Sequence, residues 1–186
     1  MQLSDTETGY GWVSILLHWI TAVAILMLLF IGNSIATLEG QARLDALNLH
    51  TSIGISCYIF LWARIVWRIW VGHPGPNSGQ RGFFFQLGKW THYVILLALG
   101  LMLVTGPAMA WASGIDIAVF DWFSIAAAAE PRFDLRDTFH SVHRASAITV
   151  FIGFIMHLGG VYKHTAFNHD GTFMKMILPT KSARQK

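Results

Sequence analysis

Apolar residues dominate four stretches of this chain, roughly 13–36, 47–70, 90–112 and 141–163. At a helical rise of about 1.5 Å per residue, each is long enough to cross a hydrocarbon layer about 30 Å thick. The stretches are separated by polar punctuation. The first connection is short, whereas the second, from Gly72 to Gly88, carries Pro74, Gly75, Pro76, Asn77, Ser78 and Gly79, a plain loop signal. The third, 113–140, is the longest, and within it Ile115 to Ile125 is apolar enough to lie along an interface but too short to cross. The pattern predicts an all-α fold, a four-helix transmembrane bundle forming one domain over residues 1–186, with no internal repeat and no low-complexity tract.

Composition strengthens that picture. Apolar residues make up 54% of the chain and charged residues only 12%, far from the balance of a soluble domain. Eight Trp and thirteen Phe suit interfacial belts and the walls of an apolar cofactor pocket. The net charge of +3 is small, so nucleic acid is not an expected partner, and membrane lipid is. The lone Cys57 excludes an internal disulfide. The N-terminal region carries Asp5 and Glu7 in place of basic residues, so the first span is expected to be retained rather than cleaved.

Lysine and arginine set the orientation. Arg64, Arg68, Arg81 and Lys89 flank the second loop, and Lys163, Lys175, Lys181, Arg184 and Lys186 lie in the tail. The opposite side holds Arg43, Arg132, Arg136 and Arg144 among seven carboxylates: Glu39, Asp45, Asp116, Asp121, Glu130, Asp134 and Asp137. By the positive-inside rule both termini face the cytoplasm.

With that topology each histidine acquires a depth. His143 and His157 stand fourteen residues apart in the fourth span, on one helix face and about 21 Å apart along its axis. His50, at the outer start of the second span, falls level with His143, and His18, near the inner start of the first, falls level with His157. Two imidazoles meeting at each of two depths are what a pair of b-type haems requires, since each iron takes an axial nitrogen from either face of the porphyrin. Zinc fits less well, because a structural site wants four converging ligands. The plain alternative is interhelical hydrogen bonding, which matching depths in four histidines disfavour. With no Cys-x-x-Cys-His run, any haem is held by coordination and packing alone. His140 is rotated about 100° from the shared face and belongs to the outer surface.

Other residues fall around these levels. Gly54, one turn after His50, would admit a flat macrocycle, and Gly32 stands at the same outer level; plain helix packing explains both equally well. Arg64, fourteen residues after His50, sits at the inner level, where a guanidinium could pair with haem propionates or a quinone carbonyl. Arg68, one turn on, suits the interface. His164, seven residues after His157, and His92, at the inner start of the third span, are candidates for a quinone headgroup or, failing that, ordinary interfacial histidines.

Leu17-His18-Trp19, the run His50-Thr51-Ser52-Ile53-Gly54 followed by Arg64 and Arg68, and the set His143, His157 and His164 together resemble the bacterial cytochrome b561 family. The resemblance spans nearly the whole chain. It implies four helices in the bacterial inner membrane, two haem b groups with His18, His50, His143 and His157 as axial ligands, and electron exchange with ubiquinone near the inner haem. Some members look like superoxide oxidases, passing electrons from periplasmic superoxide to ubiquinone; related domains anchor a partner enzyme and relay its electrons to quinone.

Both functions stay open on the residues. Arg132, Arg136 and Arg144 cluster beside His143 and could focus superoxide onto the outer haem edge, although a solvated loop of paired Asp and Arg explains them equally well. Superoxide:ubiquinone oxidoreduction is the leading expectation, and a cytochrome relay or anchor subunit serving a redox partner protein is its rival. The cofactor carries the redox chemistry in either case, so no acid/base pair or side-chain nucleophile is required.

Overall fold

The computed structural model describes residues 2–75 and 82–179; Pro76 to Gly79 of the second loop and the cations Arg81, Lys181, Arg184 and Lys186 lie outside them. Four long helices follow one another, α1 (Trp12–Ile35), α2 (Gly40–Val71), α3 (Phe83–Ala112) and α4 (Phe133–Tyr162), and each is long and apolar enough to cross a membrane. α4 runs on through a π-helical turn, Lys163–Asn168, and a short 3-10 turn covers Met174–Met176.

α1 occupies nearly the stretch its apolar residues predict. The other three begin earlier, at Gly40, Phe83 and Phe133 instead of near 47, 90 and 141. The apolar run marks only the part of a helix that sits in lipid, and good helix formers carry the coil beyond it. In α2 these are Gln41, Ala42, Arg43 and Leu44, with Gln41 donating to Asp45 one turn on at 2.8 Å. In α4, Asp134 lies in the first turn, where a carboxylate complements the helix dipole. The third connection is shorter in consequence.

Within it, the segment expected to lie along the interface folds as a small antiparallel hairpin, β1 (Ile117–Val119) on β2 (Phe123–Ile125), with Val119 opposite Phe123. Ser52 of α2 holds its turn: its Oγ accepts from the Phe120 amide at 2.8 Å and donates to the Ala118 carbonyl at 3.3 Å. Ile117 and Val119 bury their side chains, fixing the hairpin to one end of the bundle. The other end carries both terminal segments, the C-terminal one tied to α1 where Trp19 donates to the Met176 carbonyl at 2.7 Å. These are called the hairpin end and the termini end below.

The helices pack as two pairs, α1 with α2 and α3 with α4, while α2 and α3 touch more sparsely through Leu61, Ile65, Leu99 and Leu103. Lipid tails are as apolar as leucine, so such packing depends on close approach and internal hydrogen bonds. Gly153 of α4 provides the first: a Cβ there would stand 2.6 Å from Cγ1 of Ile95 on α3. Pro107 creates a need for the second, because without an N–H it leaves the Leu103 carbonyl of α3 unpaired one turn back. Tyr58 of α2 donates its hydroxyl to that carbonyl at 3.1 Å.

Candidate functional site

Two couples of imidazoles bridge the helix pairs. At the termini end His18 of α1 faces His157 of α4, ring centres 6.1 Å apart; at the hairpin end His50 of α2 faces His143 of α4, ring centres 6.4 Å apart. All four rings are half-buried. Metal–imidazole bonds of about 2 Å, with a ring half-width added on each side, put the centres of two rings sharing one metal about 6 Å apart. Both couples match that spacing. Among the described residues no group of three or more His, Cys, Asp or Glu converges as a zinc site would require.

The surroundings also suit a large planar group. Gly32 of α1 and Gly106 of α3 lie against the two hairpin-end rings, where a Cβ would come within 3.1 Å of His50 Cε1 and 3.3 Å of His143 Cε1. At Gly54 a Cβ would meet only Leu28 Cδ2, at 3.9 Å, so the packed protein does not itself require glycine there. Thr105 of α3 places its Oγ 3.3 Å from His143 Nδ1. His50 Nδ1 is buried with no hydrogen-bond partner among the described residues, the Leu28 carbonyl standing close but outside bonding geometry.

The termini end is richer in charge. Arg64 of α2 is buried, with Nη2 at 3.5 Å from His18 Nδ1 and Nη1 without a partner among the described residues. A buried cation with an orphaned donor calls for an anionic group. Arg68 is buried with its two terminal nitrogens engaged and only Nε without a partner among the described residues, contrary to its expected place at the lipid interface. It pairs with Asp5 at 3.4 Å, reaches Ser14 Oγ at 3.4 Å, donates to the Gly72 carbonyl and lies over the Tyr10 ring. Asp5 in turn accepts from the Gly11 amide at 2.9 Å, so the N-terminal segment closes this end of the bundle. Burial raises the Tyr10 phenol above its usual range, against the pull of Arg68 and Arg64.

His92 of α3 donates from Nδ1 to the Gly88 carbonyl at 2.8 Å and lies edge-on to His157, ring centres 4.9 Å apart. His73, beyond the end of α2, packs on His92 at 5.6 Å and on Tyr93 at 6.0 Å. It keeps an exposed edge. Burial of the rest of the ring, followed by the charges of Arg68 and the neighbouring His92, Arg64 and Lys89, pushes His73 down to about 3. His164 sits in the π-helical turn with Nδ1 at 2.6 Å from Asp170 Oδ2, and Asp170 also accepts from Thr172. Of the arginines at the hairpin end, Arg132 pairs with Asp134 at 3.7 Å and Arg136 with Asp137 at 2.7 Å, while Arg144 is exposed beside His143.

The structure brings together the histidines that helical spacing pairs by depth and sets Arg64 beside His18, and it adds residues for which spacing gives no signal. His73 lies in the loop after α2, which is tied to the N-terminal segment where the Gly75 amide donates to the Glu7 carbonyl at 2.8 Å. Thr105 and Tyr58 have no spacing signal of their own; Pro107, which breaks the ladder next to them, is the one mark in the sequence that could have directed attention there.

A four-helix membrane protein with two histidine couples stacked between its helix pairs is a frame for non-covalently held haem. The comparisons with known proteins agree. Residues 9–179 match the family model described as prokaryotic cytochrome b561, and the chain is 28% identical to cytochrome b561 homolog 2 of Escherichia coli (strain K12), covering 95% of each. The chain belongs to the prokaryotic cytochrome b561 family, multi-pass proteins of the bacterial inner membrane that transfer electrons across it through haem b.

Proposed function

We propose that this cytochrome holds two haem b groups, one between His50 and His143 and one between His18 and His157, and carries electrons inward from periplasmic superoxide to ubiquinone. The observation that carries the proposal is the pair of ring-centre separations, 6.4 and 6.1 Å, at opposite ends of the bundle. Bound haem b supplies one-electron storage at each level. Gly32 and Gly106 admit the macrocycle beside the hairpin-end rings, and Gly54 leaves room for it. The orphaned Nη1 of Arg64 favours a propionate over a quinone carbonyl, because a buried cation gains more from a formal negative charge than from a neutral acceptor. The excess of Lys and Arg around the termini end supports a cytoplasmic position for both termini.

The overall reaction balances across the membrane. Two superoxide anions each lose one electron and become oxygen, while one ubiquinone takes two electrons and two protons to become the quinol. At the cytoplasmic side the histidines that could hold or hand on those protons are His92, with Nδ1 donated to Gly88 and Nε2 left as acceptor, and His164, paired with Asp170. At the periplasmic side Arg144, next to His143 in sequence, is the best placed of the three clustered arginines to attract the anion, since Arg132 and Arg136 are engaged by Asp134 and Asp137.

That engagement favours a second reading, a relay or anchor subunit that receives electrons from a redox partner protein, for which the exposed aromatic residues Phe120 and Trp122 at the hairpin tip offer a contact. Stopped-flow spectroscopy separates the two. Superoxide mixed with the oxidised, purified protein should reduce its haem rapidly, and added ubiquinone should reoxidise it. Reoxidation of chemically reduced protein by ubiquinone without any reduction by superoxide would select the relay.

A further inference from the structure

The two histidine couples are alike in spacing but not in what stands behind the rings. Behind His143 is Thr105, a buried threonine whose hydroxyl is already committed, donating to the Leu101 carbonyl one turn back at 2.6 Å. A hydroxyl has one proton, so at 3.3 Å the Thr105 oxygen can only accept from His143 Nδ1. The proton of His143 is then on Nδ1, and Nε2 is left with the lone pair that ligation needs. Behind His18 the partner has the opposite character. Arg64 Nη2 stands 3.5 Å from His18 Nδ1, at the outer limit of a hydrogen bond; it belongs to a cation that only donates, so it brings positive charge to His18 and offers no acceptor for an Nδ1 proton. His50 Nδ1 has neither kind of partner among the described residues; the Leu28 carbonyl stands near His50 and the Met102 carbonyl near His143. Thr105 and Arg64 are thus side chains of opposite hydrogen-bonding character that stand against a ring nitrogen at the two ends, alongside His92, which packs on His157 at the termini end.

A hydrogen bond accepted from the far nitrogen of a ligating imidazole makes that imidazole a stronger electron donor and favours the oxidised metal. A positive charge against the ligand does the reverse. We propose that Thr105 is a positioning residue for His143 which, set against Arg64 at the other end, makes the hairpin-end haem the lower in potential of the two, so that electrons run downhill from the hairpin end to the termini end. This rests on the axial assignment given above for His143.

The test is an equilibrium redox titration of the purified, haem-loaded protein, followed by its absorption spectrum, on the wild type and on Thr105→Val, Thr105→Ser and His143→Ala. His143→Ala should lose one haem, and with it the lower midpoint. Thr105→Val should keep both haems but raise that same midpoint, changing the ratio of oxidised to reduced haem about tenfold at fixed ambient potential, or 59 mV for one electron. The other midpoint should stay where it was, and Thr105→Ser, which keeps the hydroxyl, should behave as wild type. A midpoint unmoved in Thr105→Val, a serine variant shifted as far as valine, or loss of the higher midpoint in His143→Ala would each overturn the inference. Should valine expel the haem through its shape, Thr105→Ala removes the hydroxyl without adding bulk, and expulsion there too would overturn tuning in favour of mere holding. If His143→Ala retains both haems, it is the axial assignment that has failed.

Discussion

His92 and His157 stand edge to face with ring centres 4.9 Å apart, nearer than His18 is to the same ring at 6.1 Å. A metal between two imidazoles needs about 6 Å, so His157 can share an iron with His18 and not with His92. The consequence is a set of haem contents. His18→Ala and His157→Ala should each leave one haem per chain, as should His50→Ala and His143→Ala, while His92→Ala should leave two. The pyridine haemochrome assay measures this directly, and the retained haem should be spectrally the same within each couple and different between them. Retention of both haems in His18→Ala together with loss of one in His92→Ala would reverse the assignment at the termini end.

Glycine at the hairpin end makes a second prediction. Gly106 and Gly32 admit a Cβ only at 3.3 and 3.1 Å from the rings of His143 and His50, so a side chain at either position must push an imidazole aside. Misplacement of a positioned group by even about 1 Å is costly. Gly106→Val should therefore weaken the hairpin-end haem, seen as loss of one haem during detergent washing, with the termini-end haem retained. Equal loss of both haems would mean that the helix pair itself had been disrupted.

How far the sequence foretold these positions depends on the length scale of each signal. His143 and His157 share a helix face because fourteen residues close nearly four turns, and that arithmetic survives any detail of packing. Arg64 follows from His50 by the same spacing. The early starts of α2, α3 and α4 were not legible, because helix propensity outside the lipid leaves no apolar run. The hairpin at Ile117–Ile125 was not either, since three-residue strands show too little alternation to tell from an interfacial segment. Arg68 was misjudged for want of its partner, Asp5, which is brought to it only when the N-terminal segment folds back. His73 shares that difficulty.

Tyr58 and Leu103 offer a test of the packing independent of haem. Pro107 leaves the Leu103 carbonyl without its helical partner, and the Tyr58 hydroxyl supplies one at 3.1 Å. Tyr58→Phe leaves that carbonyl unsatisfied away from water, at a cost of about 1–3 kcal/mol. The double variant Tyr58→Phe with Pro107→Ala restores a backbone donor, so it should recover much of the loss. Thermal unfolding in detergent, followed by far-ultraviolet circular dichroism, gives both numbers. No recovery in the double variant would mean that the proline is not the reason for the tyrosine.

Arg144 carries the electrostatic part of the superoxide proposal. Its neighbours Arg132 and Arg136 are paired with aspartates and exposed, so they contribute little field beyond their own loop. Reversing the charge in Arg144→Glu should slow haem reduction by superoxide several-fold at low ionic strength. The difference from wild type should shrink as salt shortens the Debye length to about 8 Å and below. Arg132→Glu should have the smaller effect. A rate unchanged in Arg144→Glu at every salt concentration would remove electrostatic steering from the mechanism.

The last prediction concerns pH and the loop after α2. His73 titrates near 3 in the folded protein and near 6.5 when released, chiefly because its ring is buried and then because Arg68, His92, Arg64 and Lys89 surround it. Between those values the released loop binds a proton that the folded one does not, so stability rises with pH across the window. Above about 6.5 both states are neutral there and the effect vanishes; as the pH falls below it, folding of this segment is progressively weakened. The segment that gives way should be the one tied through Gly75 and Glu7. Limited proteolysis of the detergent-solubilised protein should show cleavage after Arg68 or within the following loop growing between pH 6.5 and 5. His73→Gln, which cannot take up the proton, should flatten that dependence while leaving both haems in place. A dependence of equal steepness in His73→Gln would shift the titration to another group at the termini end.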